Sequence, residues 1–159
     1  KYFHKEFLNE VINKKKVDEL AIQFSNIVLD KVINSDEVLG ANYFIEKYHK
    51  KFKFWIITGT PTTEIELIVE KRKLTNFFIG LHGSPKNKRY WTEYIIDKYN
   101  LKRDEIIFLG DATTDMAAAD YSKIHFVLRE NEENQELFKD YKGHRFNDFY
   151  QLEKTLNIL

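Results

Sequence analysis

The chain has 159 residues, 43% of them hydrophobic and 15% aromatic, which is enough apolar surface for one folded domain and a small appendage. Its 25 basic and 25 acidic residues cancel to zero net charge, which argues against a nucleic-acid partner. Cysteine is absent, which excludes disulfides and thiolate metal sites. No apolar run reaches the roughly 18–20 residues of a membrane span. With no apolar leader at the N-terminus, these features predict a cytoplasmic protein.

The first third of the sequence is predicted to be helical. Apolar residues from Phe3 to Val28 recur at intervals of three and four, the period of an amphipathic helix. Ser35 is expected to cap a further helix, because Asp36 and Glu37 would then occupy its positively poled first turn. That helix would end near residue 50.

Strands and helices alternate in the remainder of the chain. The predicted strands are short runs rich in β-branched and aromatic residues: Phe52–Ile57, Phe78–Leu81, Ile106–Leu109 and Ile124–Leu128. The predicted helices are one from Pro61 (capped by Thr60) to about Lys73, one from Pro85 (capped by Ser84) to Asn100, one over Thr114–Tyr121, and one closing the chain from Asn147. This alternation indicates an α/β fold with a parallel sheet, helices on both faces, and ligands at the carboxyl ends of the strands.

Two carboxylates follow the third predicted strand, in the segment Gly110-Asp111-Ala112-Thr113-Thr114-Asp115. Gly110 is expected to let the loop bend sharply and bring Asp111 to the edge of the sheet. Carboxylate oxygens suit Mg²⁺, which takes one or two of them, keeps several waters and shares a substrate phosphate. Taken alone, the segment also fits a turn aspartate followed by an acidic residue in the first turn of a helix.

Two other segments carry groups that could bind phosphate. Thr58 and Gly59 follow the first predicted strand, where a hydroxyl and a helix N-terminus can donate hydrogen bonds to an anion. Lys86 and Lys88 lie near the start of a predicted helix, where the helix dipole disfavours a cation unless it faces an anionic ligand. Each segment also has an ordinary explanation, as a helix start and as solvated lysines.

The order of these features resembles the haloacid dehalogenase superfamily, and in particular its members similar to phosphoglycolate phosphatase. The second family motif resembles Phe54–Pro61, the third Gly83–Lys88, and the fourth Phe108–Asp115. The likeness covers about residues 35–130, and the helical first third is similar to the later part of the family's inserted helical cap. We therefore expect a Rossmann-like core over residues 35–159 and the remainder of a cap over residues 1–34.

The resemblance implies a Mg²⁺-dependent phosphatase acting on a small phosphorylated metabolite. Thr58 and Gly59 would bind the phosphoryl group, and a lysine would neutralise its charge. The form Gly-Ser-Pro-x-x-Lys favours Lys88, whereas a longer-offset form of the motif points to Lys86. Asp111 would hold Mg²⁺, and Asp115 would bind or support the ion. An aspartyl-phosphate intermediate would divide the hydrolysis into two steps.

The first family motif, Asp-x-Asp after an apolar strand, is absent from the sequence. Its nearest candidate, Asp30, lies in a helical pattern and is predicted to be a surface helix residue. We therefore expect the nucleophile upstream of this chain; the alternatives are a phosphomutase of the same superfamily and a non-catalytic binding module. The missing strand would lie at the centre of the sheet, so the isolated chain is predicted to have two unpaired strand edges and to be unstable alone.

Overall fold

The computed structural model describes residues 14–156. The chain divides into two compact units, Lys1–Asp36 and Glu37–Leu159. Within the first unit, helix α1 spans Lys14–Ile33, and Asp30 lies exposed on it. The helical pattern predicted over residues 3–11 lies outside the described part. The predicted boundary after residue 34 lies two residues before the division between the units (36 − 34 = 2).

The second unit alternates helices and strands, as the sequence predicts. Its elements are α2 (Ala41–Tyr48), β1 (Phe54–Pro61), α3 (Thr62–Lys71), β2 (Phe78–Ser84), α4 (Lys88–Tyr99), β3 (Ile107–Gly110), α5 (Thr113–Ser122), β4 (His125–Arg129), β5 (Arg145–Phe146) and α6 (Phe149–Thr155). Short 3-10 turns at Thr75–Phe77 and Arg103–Glu105 precede β2 and β3. The α/β class with parallel strands and flanking helices is confirmed, and β5 is an addition that the sequence pattern did not indicate.

The strands form two separate parallel sheets, β1-β2 and β3-β4-β5. Helices cover both faces. On one face, α2 and α6 contribute to a core cluster that includes Phe44, Val127, Phe146 and Leu152. On the other face, α4 and α5 enclose a second cluster with Ile96, Ala119 and Ile124. Phe54 of β1 and Leu109 of β3 both pack against the first cluster, so the two sheets share one helical layer.

Three predicted helix starts are wrong. The Ser35 hydroxyl donates back to the carbonyl of Val32 (2.9 Å) rather than capping α2, which begins only after Gly40 in a left-handed conformation (φ 79°). β1 continues through Thr60 and Pro61, and α3 begins at Thr62 without a side-chain cap. β2 continues through Ser84, and Asn87 caps α4 by accepting from the Tyr90 amide (2.9 Å). The last two errors share a cause: β1 and β2 pair as far as Pro61 and Ser84, so strand pairing takes residues that local signals assign to helices.

An apolar cleft separates the two sheets. It encloses about 830 Å³ and is lined by β1, the β3 segment, α4 and residues of the first core cluster: Phe54–Ile57, Ile106–Leu109, Thr92, Ile95, Ile96, Phe44 and Leu156 among them. Among residues 14–156, one edge of β1 pairs with β2 and one edge of β3 pairs with β4, and no strand pairs with either edge that faces the cleft. Every residue of β1 is therefore at least partly exposed, although its sequence predicts a buried strand.

Candidate functional site

The carboxyl end of β1 presents Thr58 and Gly59. The Thr58 hydroxyl donates to the Thr60 hydroxyl and accepts from the Thr60 amide, both at 3.2 Å. Gly59 is exposed, and a Cβ added there would have nothing within 4 Å. The space over this turn is therefore open, and a ligand could approach the backbone without displacing a side chain.

The end of β2 holds this turn in place. The Gly83 amide donates to the Thr62 hydroxyl (3.0 Å), and a Cβ on Gly83 would lie 2.0 Å from the carbonyl oxygen of Thr60, so only glycine fits. The Gly83 carbonyl accepts from the Trp91 indole (2.8 Å), which joins the end of β2 to the first turns of α4. The end of β1 and the start of α4 are thus linked through one residue.

The carboxyl end of β3 presents Asp111 and Asp115. Asp111 is exposed, and its carboxylate has no hydrogen bond or ion pair within the described residues. Asp115 is 3% exposed, and its Oδ2 accepts from the amide of Ala112 (3.1 Å), which ties it to the loop. Gly110 is required for a reason other than the sharp bend that the sequence suggests. A Cβ there would lie 2.4 Å from the Cβ of Asp115, so the glycine permits the close approach of that side chain.

Lys88, the first residue of α4, pairs with Asp115 in the first turn of α5. Its Nζ lies 2.5 Å from Oδ1 of Asp115, and the side chains are 21% and 5% exposed. The first turns of α4 are therefore joined to the end of β2 through Trp91 and to α5 through the Lys88–Asp115 ion pair. A pair this well shielded from water attracts more strongly than a surface pair.

Lys86 lies apart from the acidic residues. It is exposed, and its ammonium lies 4.8 Å from the centre of the Tyr90 ring, in a cation–π contact. The two lysines that sequence motifs leave open therefore have different surroundings. Lys88 contacts Asp115, one of the two predicted metal-binding residues, and Lys86 contacts an exposed aromatic ring.

A second ion pair fixes α4 against the end of α5. Arg103 donates to both carboxylate oxygens of Glu93, at 2.8 and 2.9 Å, and to the carbonyl of Ser122 at 2.6 Å. This hydrogen bonding from Arg103, with a further contribution from Ser122, lowers the pKa of Glu93 to about 2. The pair holds the helix that carries Lys88.

The predicted metal ligands fit Mg²⁺ in part. Mg²⁺ needs only one or two carboxylates beside water and phosphate oxygens. The unpaired carboxylate of Asp111 can serve as such a ligand, whereas both oxygens of Asp115 already accept hydrogen bonds. Within residues 14–156 no cluster of three or more histidine and acidic side chains forms a complete metal site.

One residue at this edge, Asn134, was not predicted from the sequence. It lies in the loop after β4 with 6% of its surface exposed, and its amide donates to the carbonyl of Asp111 at 3.0 Å. An asparagine in a polar loop carries no periodic or motif signal. Its contact with the Asp111 loop arises only from the three-dimensional fold.

Residues 2–129, more than half of the chain, match the family described as haloacid dehalogenase-like hydrolase. The chain belongs to this family. No curated protein matches the chain. The assignment of this protein to the family therefore rests on the family match, and the fold agrees with it. Within the described residues, no helix has the length and apolar character needed to cross a membrane.

Solved structures share the fold. A predicted phosphoglycolate phosphatase from Haemophilus somnus 129PT is 18% identical with a TM-score of 0.78, and the match covers 96% of this chain and 72% of that one. A candidate phosphatase from Clostridium difficile is 19% identical with a TM-score of 0.74, covering 96% and 74%. A HAD-type hydrolase from Bacillus subtilis, YfnB, described as bound to magnesium, is 15% identical with a TM-score of 0.62, covering 76% and 55%.

Proposed function

We propose that this protein is the phosphate- and metal-binding part of a Mg²⁺-dependent phosphatase that hydrolyses a small phosphorylated metabolite. The observation that carries the proposal is the position of Lys88. Its ammonium lies 2.5 Å from the carboxylate of the buried Asp115, on the helix that follows β3 and Asp111. A partly shielded ammonium near the carboxyl ends of the strands suits a dianionic phosphate. The first unit would be the remainder of a helical cap.

Each residue has a role in this proposal. The Thr58 hydroxyl and the Gly59 amide donate to the phosphoryl oxygens, where the space is open. Lys88 neutralises charge that spreads over those oxygens in the transition state, and Asp115 holds its ammonium in place. Asp111 provides a carboxylate ligand for Mg²⁺, and Asp115 supports the Asp111 loop by accepting a hydrogen bond from the Ala112 amide. Bound Mg²⁺ would cancel the repulsion between the phosphate and an attacking carboxylate.

The nucleophile would enter on a strand that fills the cleft. Within residues 14–156, β1 and β3 face the cleft with edges that no strand pairs, and the lining is mainly apolar on both sides. An apolar parallel strand would satisfy the backbone groups of both edges and join the two sheets into one. An Asp-x-Asp segment at its carboxyl end would then lie between Thr58 and Asp111. Its first aspartate would attack phosphorus, and its second would give a proton to the departing ester oxygen.

The test combines the chain with such a strand. The chain is mixed with a synthetic peptide of an apolar strand followed by Asp-x-Asp-x-Thr, or fused to the segment that precedes it in its gene where one exists. Hydrolysis of p-nitrophenyl phosphate and a panel of phosphorylated metabolites is measured with Mg²⁺. The matched control replaces both aspartates of the added strand by asparagine.

We expect phosphate release with the aspartate strand and none with the asparagine strand, and loss of release in Asp111→Asn and Lys88→Ala but not in Lys86→Ala. Full activity in Asp111→Asn contradicts the metal assignment. Protection of the β1 amides from hydrogen exchange without phosphate release indicates the binding-module alternative. Transfer of the phosphate to a second hydroxyl, rather than to water, indicates the phosphomutase alternative.

A further inference from the structure

Asn134 is a buried side chain that bonds to two strand ends at once. Its amide nitrogen donates to the carbonyl of Asp111 at 3.0 Å and to the carbonyl of Arg129 at 2.9 Å. Its Oδ1 accepts from the amide of Asn131 at 2.9 Å. The residue is 6% exposed, so these bonds form where water cannot easily replace them.

These bonds continue the sheet beyond its last backbone pair. β3 and β4 pair as far as Gly110 and Leu128, and the next residues along the two strands are Asp111 and Arg129. At that level one side-chain amide bridges the two carbonyls. The backbone of Asp111 is thereby fixed relative to β4, while its carboxylate remains exposed and unpaired in the described chain.

Asparagine is the residue that these contacts require. The two carbonyls need two N–H donors on one nitrogen, and the Asn131 amide needs an acceptor oxygen on the same side chain. A side-chain amide provides both, and a carboxylate does not. Asn131 differs in this respect, because its Oδ1 accepts from the amides of Glu133 and Asn134, both at 3.0 Å, and an aspartate could do the same.

We propose that Asn134 is a positioning residue for Asp111, holding its carboxylate where it can bind a divalent cation. The part that concerns the cation rests on the function proposed above. The part that concerns the backbone rests on the hydrogen bonds alone. Groups that orient a metal ligand without touching the metal commonly affect affinity about 10- to 100-fold.

The experiment compares Asn134→Asp with Asn131→Asp. The two variants make the same chemical change and add the same charge to the same loop, but only Asn134→Asp removes donors from the Asp111 and Arg129 carbonyls. Mn²⁺ affinity is measured by electron paramagnetic resonance at a temperature where each variant is folded by circular dichroism. Hydrogen exchange of the Ala112 and Asp115 amides is measured by NMR without metal. Asn134→Ala, which adds no charge, serves if Asn134→Asp does not fold.

We expect Asn134→Asp to bind Mn²⁺ about 10- to 100-fold more weakly and to exchange the Ala112 and Asp115 amides faster, with Asn131→Asp like wild type in both. Equal losses in the two variants, or unchanged affinity and exchange in Asn134→Asp, overturn the proposal. If wild type binds no Mn²⁺, the metal site proposed above fails and the positioning of a cation ligand fails with it. The exchange rates then show separately whether Asn134 fixes the loop.

Discussion

The carboxyl ends of β1 and β3 carry the two parts of the proposed site, and they are built differently. The β3 end is anchored by buried side chains: Asp115 is 3% exposed and Asn134 6%, and both bond to the loop that carries Asp111. The β1 end has bonds between Thr58 and Thr60 and a bond from the Gly83 amide of β2 to the Thr62 hydroxyl, and Gly59 faces open space. The side proposed to bind the metal ion is thus held by buried side chains, and the turn proposed to bind phosphate is held by bonds within the turn and to β2.

The strands behind these ends show the same contrast. β4 and β5 contain fully buried residues, including Leu128 and Phe146. β1 has none, because one of its edges lines the cleft. The β3–β5 side should therefore tolerate core changes poorly, and the β1–β2 side should gain most from an added strand.

The largest effect is expected from Phe146→Ala. Phe146 is 1% exposed in the first core cluster, so its truncation should lower the free energy of unfolding by about 3–5 kcal/mol. Ile79→Ala on β2 is the comparison, because Ile79 is 49% exposed and should change that free energy by about 0.5 kcal/mol or less. Urea titrations of both variants measure the difference. Similar losses would show that the two sheets are equally well packed.

The next effect concerns Asp111→Asn. Removing the Asp111 carboxylate should weaken Mn²⁺ binding by more than about 100-fold, beyond the effect of a supporting residue. The melting temperature should stay near that of wild type, because the Asp111 side chain is exposed and has no partner in residues 14–156. Isothermal titration and thermal melts measure the two quantities. An unchanged Mn²⁺ affinity would show that the metal ion binds at another place in the molecule.

Lys88→Ala should cost more stability than Lys86→Ala. Its removal leaves the carboxylate of Asp115 buried without its cation, at a cost of about 1–3 kcal/mol. Lys86→Ala should change the free energy of unfolding by about 0.5 kcal/mol or less. A double-mutant cycle with Asp115→Asn isolates the coupling between the paired residues. If the two single lysine variants lose equal stability, the Lys88–Asp115 pair does not stabilise the fold as described.

The smallest effect concerns Glu93 and pH. Hydrogen bonding from Arg103 lowers the pKa of Glu93 from 4.5 to about 2, so the pair stabilises the folded chain above pH 4.5. This contribution is lost as the pH falls towards 2. The difference in unfolding free energy between wild type and Glu93→Gln should therefore shrink between pH 5 and pH 2. Glu136→Gln, which removes an exposed pair with Lys139, is the control and should show little change with pH.

The sequence predicted the alternation of elements and the α/β class correctly, because strand and helix periods are local properties. Asn100 ends α4 in a left-handed conformation (φ 48°), as its position indicated. The helix starts at Thr60 and Ser84 could not be predicted, because long-range pairing of β1 with β2 overrides a local capping signal. The cleft was anticipated from the absence of an Asp-x-Asp strand.

For the site, motif order identified which strand ends carry the polar groups, but the identity of the paired lysine depends on three-dimensional contacts. Lys86 and Lys88 lie two residues apart, and only the direction of α4 decides that Lys88 meets Asp115 and Lys86 meets Tyr90. The requirement for glycine at position 110 also depends on three-dimensional contacts, because the Asp115 side chain packs against it. Asn134 has no motif and is found only through its bonds.

The most direct test of the site is a titration of the isotopically labelled chain with inorganic phosphate and Mg²⁺ together, followed by NMR. If the ends of β1 and β3 form one site, the amides of Gly59, Asp111 and Ala112 shift along with the ammonium of Lys88, and Lys88→Ala abolishes the shifts at Gly59. Shifts confined to residues away from both strand ends, or shifts at Gly59 that persist in Lys88→Ala, would contradict a shared site.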